Sequence, residues 1–263
     1  MPHGGTEAPR ELDGRLCITR SAQFDDSDPF TAEIYDIGES ALHVVRAEIA
    51  RTYVDLNRSR RQLPPSDPDG LVKSVTCYNE PIYIRGMEPG PQLVERLIRR
   101  YYDPYYDAIE QACADPQGGL RLCLDCHSMA PTAPPVSNNS GARDVRGPAR
   151  EDGAARPLFC LSNRDGKTCP DDQLETLARC ISESFGIPRD RILLNRPFRG
   201  GHITEWFGTR YGAAIPWVQV EMNRMLYLDE RWFDRDSAKM TDGARLAELN
   251  RMFRDSLVRF FAA

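Results

Sequence analysis

Histidine is scarce in this chain, and most of its histidines lie beside turn residues or at the end of a predicted strand. The four are His3, His43, His127 and His202. His3 lies in Pro-His-Gly-Gly, where the glycines let the backbone approach an ion or a substrate closely. His127 has Asp125 two residues before it and Ser128 directly after it, and a carboxylate so placed can orient a metal-binding imidazole. These positions indicate a metal site, although a hydrogen-bonded loop histidine is the commoner role of a single His.

A carboxylate and an arginine are candidates for acid–base and anion-binding roles. Glu221 lies near the end of the apolar run VQVEM, where burial raises the pKa of a carboxyl group unless a cation is nearby. It is either a general base beside a metal ion or the partner of Arg224, or of another arginine, in an ion pair. Arg58 follows Asn57 at the end of YVDLN, and its planar guanidinium group suits a substrate carboxylate or an oxyanion.

The remaining residues of reactive type carry weaker indications. His43 lies in the apolar run ALHVV and is predicted to be a core or sheet-surface histidine. Cys123 and Cys126 form a C-x-x-C motif inside a predicted strand, which lacks the turn that a zinc knuckle or a thioredoxin site requires. The eight cysteines are scattered along the chain and indicate reduced thiols rather than a disulfide framework.

Hydrophobic periodicity predicts the elements that position these residues. Helical spacing covers residues 29–40, and a longer helical pattern over 89–114 is interrupted by Pro104. Apolar runs predict strands at 41–50, 120–126, 157–162, 191–195 and 215–222, and further helices are predicted at 171–185 and 240–261. The alternation predicts one α/β domain over residues 1–263, with a mostly parallel mixed sheet flanked by helices.

Two segments between these elements have the composition of turns and loops. Gly200 and Gly201 predict a turn before the last strand. Residues 129–157 are rich in proline, glycine, serine and asparagine and predict a loop directly after the strand that leads to His127. This loop is either a substrate-facing lid or a tolerated surface insertion.

Composition excludes several classes of protein. The chain has 263 residues, and 41% of them are hydrophobic, which is enough for a sizeable core. Its 34 basic and 39 acidic residues give a net charge of −5, so nucleic acid is not an expected partner. No apolar run approaches the roughly 20 residues of a membrane helix, and MPHGGTEAPREL lacks the apolar stretch of a signal peptide. We therefore expect a cytoplasmic protein; the oligomeric state stays open.

Several motifs, taken together and in order, resemble one known family. They are PHGG, YVDLNRS, RYYDPYYDAI, LDCHSM, SNRDGKTC, FRGGHIT and VQVEMNRMLYLDE. This set resembles the N-formylglutamate amidohydrolase family, whose relatives include the zinc carboxypeptidases. The resemblance implies a zinc-carboxypeptidase-like α/β fold, with one zinc ion at the C-terminal edge of the sheet and a small N-formyl or N-acyl amino compound as substrate.

The resemblance also implies a set of zinc ligands. His3 matches the His of the family's Pro-His-Gly motif, and His127 matches the His of its Asp-x-His-Ser motif. A carboxylate completes the set. It is Asp28, which matches the acidic residue of the family's Asp-rich segment, or Glu7, which lies just after the first His as in the carboxypeptidases.

The same resemblance implies the roles of the other site residues. Asn57 and Arg58 match an Asn-Arg pair that contacts the substrate carboxylate or the carbonyl oxygen, and Glu221 matches the general base. Zinc with three protein ligands keeps a position for water and lowers its pKa toward about 7. Glu221 would take the proton of that water and later protonate the leaving amine, while Arg58 would stabilise the oxyanion.

Two features depart from the family pattern. The family has an apolar strand before Pro-His-Gly, whereas this sequence begins at Met1, so we expect either a truncated start or a loosely held His3. Glu205 stands where the family has arginine, and a glutamate there would repel the side-chain carboxylate of N-formylglutamate. This predicts that N-formylglutamate is a poor substrate and that a neutral or cationic N-acyl compound is preferred. Four residues near the Gly-Gly turn are candidate substrate contacts: Arg199, His202, Thr204 and Glu205.

Two alternatives to the amidohydrolase remain open on the sequence. A carboxypeptidase-like peptidase would use the same metal and base but a wider cleft. A binding protein that keeps the fold without hydrolysis would follow from a truncated start that loosens His3.

Overall fold

The computed structural model of the chain describes residues 1–114, 119–132, 155–228 and 242–263. The helices are α1 (Arg20–Asp26), α2 (Thr31–Tyr35), α3 (Pro91–Leu97), α4 (Asp103–Ala114), α5 (Asp171–Phe185), α6 (His202–Tyr211) and α7 (Gly243–Ala262). The strands are β1 (Cys123–Met129), β2 (Phe159–Ser162), β3 (Ile192–Leu194) and β4 (Trp217–Asn223). Within these ranges, every helix is too short or too polar to cross a membrane.

The four strands of the described residues form one sheet in the order β1-β4-β2-β3. β1 runs parallel to β4, and β2 runs parallel to β3, whereas β2 and β4 are antiparallel. Helices pack on the sheet. The predicted fold class, a mostly parallel mixed sheet flanked by helices, is therefore confirmed.

The alternation of side chains along β1 and β4 gives the sheet one polar and one apolar face. Cys126, Val218, Val220 and Met222 belong to a core that includes α5 and α7. The residues between them are polar and point to the opposite face because successive side chains of a strand alternate. These buried polar residues are Asp125, His127, Gln219 and Glu221. One face of the sheet thus packs against the core, and the other carries the buried polar side chains.

A second core supports the polar side of the molecule. It joins the buried residues of α3 and α4 to Tyr53 and Leu56, and it includes Ile203 and Phe207 of α6. The predicted break in the long helical pattern is present, because the helix between α3 and α4 widens into a π-helical segment at Ile98–Tyr102, just before Pro104. Proline lacks the N–H that a continuous α-helix needs at this point.

Several predicted elements need correction. The predicted strand at 41–50 is wrong: these residues are irregular, and Leu42 is 65% exposed. The prediction of a core or sheet position for His43 is also wrong, because His43 is exposed. β1 begins and ends three residues later than predicted, so His127 lies inside the strand. Helix α6 directly follows the Gly-Gly turn and was not predicted. Most of the predicted loop, residues 133–154, lies outside the described residues.

Candidate metal centre and active site

Three side-chain atoms from distant parts of the sequence converge beside the polar face of the sheet. His3 Nδ1 lies 3.2 Å from Asp28 Oδ2, and His127 Nδ1 lies 3.0 Å from the same oxygen. The two Nδ1 atoms are 3.1 Å apart. All three residues are buried. Asp28 follows α1, His127 belongs to β1, and the backbone N–H of Asp28 donates to the carbonyl oxygen of His3.

Each of the two histidines is oriented by a buried aspartate on its other nitrogen. His3 Nε2 lies 2.7 Å from Asp55 Oδ1, and His127 Nε2 lies 2.9 Å from Asp125 Oδ1. The pKa values of Asp55 and Asp125 are lowered: burial opposes this, but neighbouring cations and hydrogen bonds outweigh it. Both carboxylates are therefore ionised and can only accept hydrogen bonds, so the Nε2 atoms carry the protons.

This assignment makes the convergent atoms a cation site. When both imidazoles are neutral and carry their protons on Nε2, the lone pairs of the two Nδ1 atoms face Asp28 Oδ2, and a metal ion can take the place that an Nδ1 proton occupies in the metal-free site. A tetrahedral metal with bonds of about 2.0–2.1 Å separates its ligands by about 3.3 Å, close to the 3.0–3.2 Å found here. The donor set of two imidazoles and one carboxylate therefore fits a metal ion.

The electrostatic field at the centre also favours positive charge. Burial opposes protonation of His127, but Asp125 and Asp28 outweigh it and raise the pKa of this imidazole to about 10. Burial alone would raise the pKa of Asp28, yet hydrogen bonds from His127 and His3 hold it well below its usual range. Among the described His, Cys, Asp and Glu residues, the group whose side chains lie close enough together to hold a metal ion consists of His3, Asp28 and His127. Glu7, the rival third ligand, is exposed and lies outside this set.

Glu221 lies beside the centre in the sheet. It is paired in register with His127 across the parallel β1–β4 ladder, and its Oε1 accepts a hydrogen bond of 2.8 Å from Gln219 Nε2. Burial, with smaller contributions from Asp28 and Asp125, raises the pKa of Glu221 to about 8, while His127 lowers it. The alternative prediction, an ion pair between Glu221 and Arg224, is wrong, because the guanidinium group of Arg224 pairs with Asp28 instead.

A pocket of about 110 Å³ opens onto these groups. Of the predicted site residues, its lining includes His3, Asp28, Asn57, Arg58, His127, Arg199 and Glu221. His202, Thr204 and Glu205 lie on α6, outside that lining. The structure thus brings the predicted ligands and base together with three of the six predicted substrate contacts.

Asn57 and Arg58 are engaged by the protein around the pocket. Asn57 Oδ1 accepts a hydrogen bond from the backbone N–H of Ile203, the second residue of α6, and Asn57 Nδ2 lies 3.2 Å from His127 Nε2. Arg58 donates to the carbonyl oxygen and the carboxylate of Asp69, at 3.2 and 3.3 Å. Its Nη2 also lies 3.5 Å from Asp55 Oδ2.

The predicted contacts near the Gly-Gly turn have their own protein partners. Thr204 Oγ1 donates to Asp125 Oδ2 at 3.0 Å and so supports the aspartate that orients His127. Arg199 forms an ion pair of 3.1 Å with Asp165. Burial and the charge of Arg58 lower the pKa of His202 to about 4, which leaves this imidazole neutral at neutral pH.

Sequence reasoning missed several residues of the site, and two of them support the candidate metal ligands directly. Asp55 orients His3, and Arg224 holds Asp28 Oδ1 at 3.0 Å. Asp55 lies in the run Tyr-Val-Asp-Leu, where a buried carboxylate needs a partner, and this is the same sequence signal that marks Glu221. Arg224 was considered only as a partner of Glu221.

Comparison with known proteins identifies a matching family model and several relatives of this chain. A family model described as N-formylglutamate amidohydrolase matches residues 1–228. Proteins named N-formylglutamate deformylase from Pseudomonas putida and Pseudomonas aeruginosa are each 26% identical, over 235 and 236 residues. These alignments cover 88% of this chain and 80% and 81% of the relatives.

Two solved structures share the fold. The crystal structure of N-formylglutamate amidohydrolase from Ralstonia eutropha JMP134 matches with a TM-score of 0.70 and 22% identity, covering 100% of this chain and 93% of the other. A gene product of Agrobacterium tumefaciens matches with a TM-score of 0.55 and 14% identity, covering 97% and 88%. Since the family model spans most of the sequence, this chain belongs to the N-formylglutamate amidohydrolase family.

Proposed function

We propose that this chain is a zinc-dependent amidohydrolase that removes a formyl or small acyl group from N-formyl amino acids. The observation that carries the proposal is the convergence of His3 Nδ1, Asp28 Oδ2 and His127 Nδ1 within 3.0–3.2 Å of one another. Glu221 lies in the same pocket as a separate carboxyl group. The names of the Pseudomonas relatives supply the class of substrate.

The donor set accounts for the choice of metal. When bound by two imidazoles and one carboxylate, zinc keeps an open coordination position, polarises a carbonyl oxygen and makes water acidic. Asp55 and Asp125 accept the Nε2 protons of the two histidines and so direct their Nδ1 atoms at the centre, where metal binding displaces any Nδ1 proton.

Glu221 is the proposed general base and acid. A pKa of about 8 in the metal-free pocket lies near neutral pH, where a group can both accept and return a proton. Its carboxyl group accepts the proton of the attacking water and then delivers it to the leaving amine nitrogen. Gln219 holds Oε1 at 2.8 Å and fixes the orientation of this carboxyl group.

Arg58 and Arg199 are the proposed anchors for an anionic substrate. Both line the pocket, and a guanidinium group can hold a carboxylate through two parallel hydrogen bonds. The charge of Arg58 is shared with Asp69 and Asp55, whereas Arg199 is about 40% exposed and pairs with the half-exposed Asp165. We therefore assign the α-carboxylate of the substrate to Arg199 first.

The expected preference for neutral or cationic substrates is based on the negative charge of Glu205. The expectation that it repels N-formylglutamate assumes a carboxylate facing the substrate, yet Arg164 forms an ion pair with Glu205, and α6 holds it outside the pocket lining. The positive charge of Arg164 offsets the repulsion. We therefore propose that acidic N-formyl amino acids are accepted, N-formylglutamate included.

Two measurements test the proposal. The protein, purified without a metal-chelating tag, is expected to contain about one zinc per chain by elemental analysis, in keeping with a single three-ligand site. Formate release is then measured with N-formylglutamate, N-formylleucine and N-formyllysine, and release of free amino acids is measured with unblocked dipeptides. Cleavage of the dipeptides alone would identify a peptidase, and a protein that stays metal-free after zinc is added back would refute the proposal.

A matched pair of variants tests the role of Glu221. Glu221→Gln keeps the shape of the side chain but cannot take a proton, so we expect kcat to fall by about 10²–10⁴-fold with zinc content unchanged. Glu183→Gln, an exposed position of α5, is the control and keeps wild-type kcat. An unchanged kcat in Glu221→Gln would remove Glu221 from the mechanism.

A further inference from the structure

Each candidate metal ligand contacts a buried charged residue on the side away from the metal centre. His3 and His127 contact the aspartates Asp55 and Asp125, whereas Asp28 contacts a cation, Arg224. We propose that Arg224 is a positioning residue that restricts Asp28 to a single coordinating oxygen, Oδ2, and so preserves an open position on the metal. This inference rests on the metal centre of the proposed function. It concerns how many atoms of Asp28 bind the metal, which the proposed function leaves open.

The contacts of Arg224 leave its guanidinium group little freedom. It follows β4 directly, and only 4% of its surface is exposed. Nη2 lies 3.0 Å from Asp28 Oδ1 and also donates to the carbonyl oxygen of Ser27. Nη1 donates to the carbonyl oxygen of Asp25 at 3.1 Å, and Nε donates to Ser128 Oγ at 3.0 Å. These contacts fix the group against both the Asp28 segment and β1.

The two carboxylate oxygens of Asp28 therefore contact different groups. Oδ2 faces His3 Nδ1 and His127 Nδ1, whereas Oδ1 receives the hydrogen bond of the guanidinium group. Binding through both oxygens requires the carboxylate to turn until Oδ1 also faces the metal. That rotation would break a charge-assisted hydrogen bond in a buried site, and such bonds are the strong ones.

Attraction to the metal ion itself cannot explain a cation at this place. A guanidinium group stays protonated, so Arg224 repels a metal ion bound at Asp28. Its geometric effect on the carboxylate is the remaining role that the contacts support. Arg199 offers a comparison, because it places the same charge on the wall of the same pocket but pairs with Asp165.

The test uses Co²⁺ added to the metal-free full-length protein. The visible absorption of Co²⁺ is intense at four-coordinate sites and weak at sites of higher coordination. We expect the intense spectrum in the wild type and in Arg199→Met. In Arg224→Met we expect a several-fold loss of intensity, because both oxygens of Asp28 become ligands. Arg224→Lys keeps the charge but loses the planar fork, and should show the same change to a smaller extent.

Several outcomes decide the matter. Spectra of Arg224→Met and Arg224→Lys that match the wild type would overturn the inference while leaving the metal centre intact. So would a crystal structure of the zinc-loaded wild type in which both oxygens of Asp28 bind zinc, and this measurement needs no variant to fold. If the wild type fails to bind Co²⁺ or Zn²⁺, the proposed function and this inference fail together.

Discussion

Lys73 provides a direct test of the charged network behind the candidate metal centre. It is completely buried, and its Nζ donates to both oxygens of Asp26 at 2.8 Å and lies 2.6 Å from Asp69 Oδ1. Asp69 in turn contacts Arg58 at 3.3 Å. Lys73→Met keeps a linear side chain of similar size but removes the charge shared by two carboxylates.

The expected loss of stability is large because the remaining charges cannot reach water. Removing one partner of a buried ion pair costs about 3–5 kcal/mol. Here one ammonium group serves Asp26 and Asp69, both of which are buried, so we expect the upper part of this range, at least about 4 kcal/mol. A domain is stable by only about 5–15 kcal/mol, so the variant should lose a large part of its free energy of unfolding.

Urea unfolding at pH 7 measures this effect. The wild type and Lys73→Met are compared at equal m-values, so that the midpoint reports stability alone. Lys167→Met is the control, because Lys167 is exposed and its removal should change stability by about 0.5 kcal/mol or less. A loss below about 1 kcal/mol in Lys73→Met, as for a surface pair, would refute the assignment of Lys73 as the counter-ion of both carboxylates.

Three further substitutions probe the site and its supports. Asp125→Asn should weaken zinc binding about 10–100-fold in competition with a chelator, because the carboxylate orients His127; unchanged affinity would contradict that role. In Gly201→Ala the new Cβ would overlap the side-chain amide of Asn57, so we expect a loss of about 1–3 kcal/mol in urea unfolding, and no loss would mean that Asn57 moves freely. Gly243→Ala, where nothing lies within 4 Å of the added Cβ, should instead stabilise α7 by about 0.4–1 kcal/mol; a decrease would show that the helix start is misassigned.

Local patterns were sufficient where one segment carries its own signal. Helix α5 was predicted with the bounds that the structure gives, because its apolar residues recur at helical spacing on one face, as Leu174, Leu177 and Ile181 illustrate. The sheet class followed from the alternation of such helices with short apolar strands. Local context singled out His3 and His127, and the family motifs added Asp28; the fold brings these three residues together.

Local patterns failed where the environment decides the structure. The run at 41–50 has the composition of a strand, yet its described bridge is a single contact between Ile49 and Glu7, and the apolar side chains of Leu42 and Val44 remain exposed. Helix α6 was missed because part of its start is stabilised from elsewhere in the sequence, by Asn57 Oδ1 on the N–H of Ile203. The ion pair between Arg224 and Asp28 joins residues nearly two hundred positions apart, a distance that no sequence window spans.

The arrangement of the candidate catalytic groups depends on apolar residues that lie on the other face of the sheet. In β4, Val218, Val220 and Met222 enter the core against α5 and α7, which turns the side chain of Glu221 toward the pocket. A slip of one residue would bury Glu221 in that core and send Val220 to His127, so packing on one face fixes the register of the other. The polar residues of both strands follow the same period of two, which implies that the site can be altered without disturbing the core as long as that period is kept.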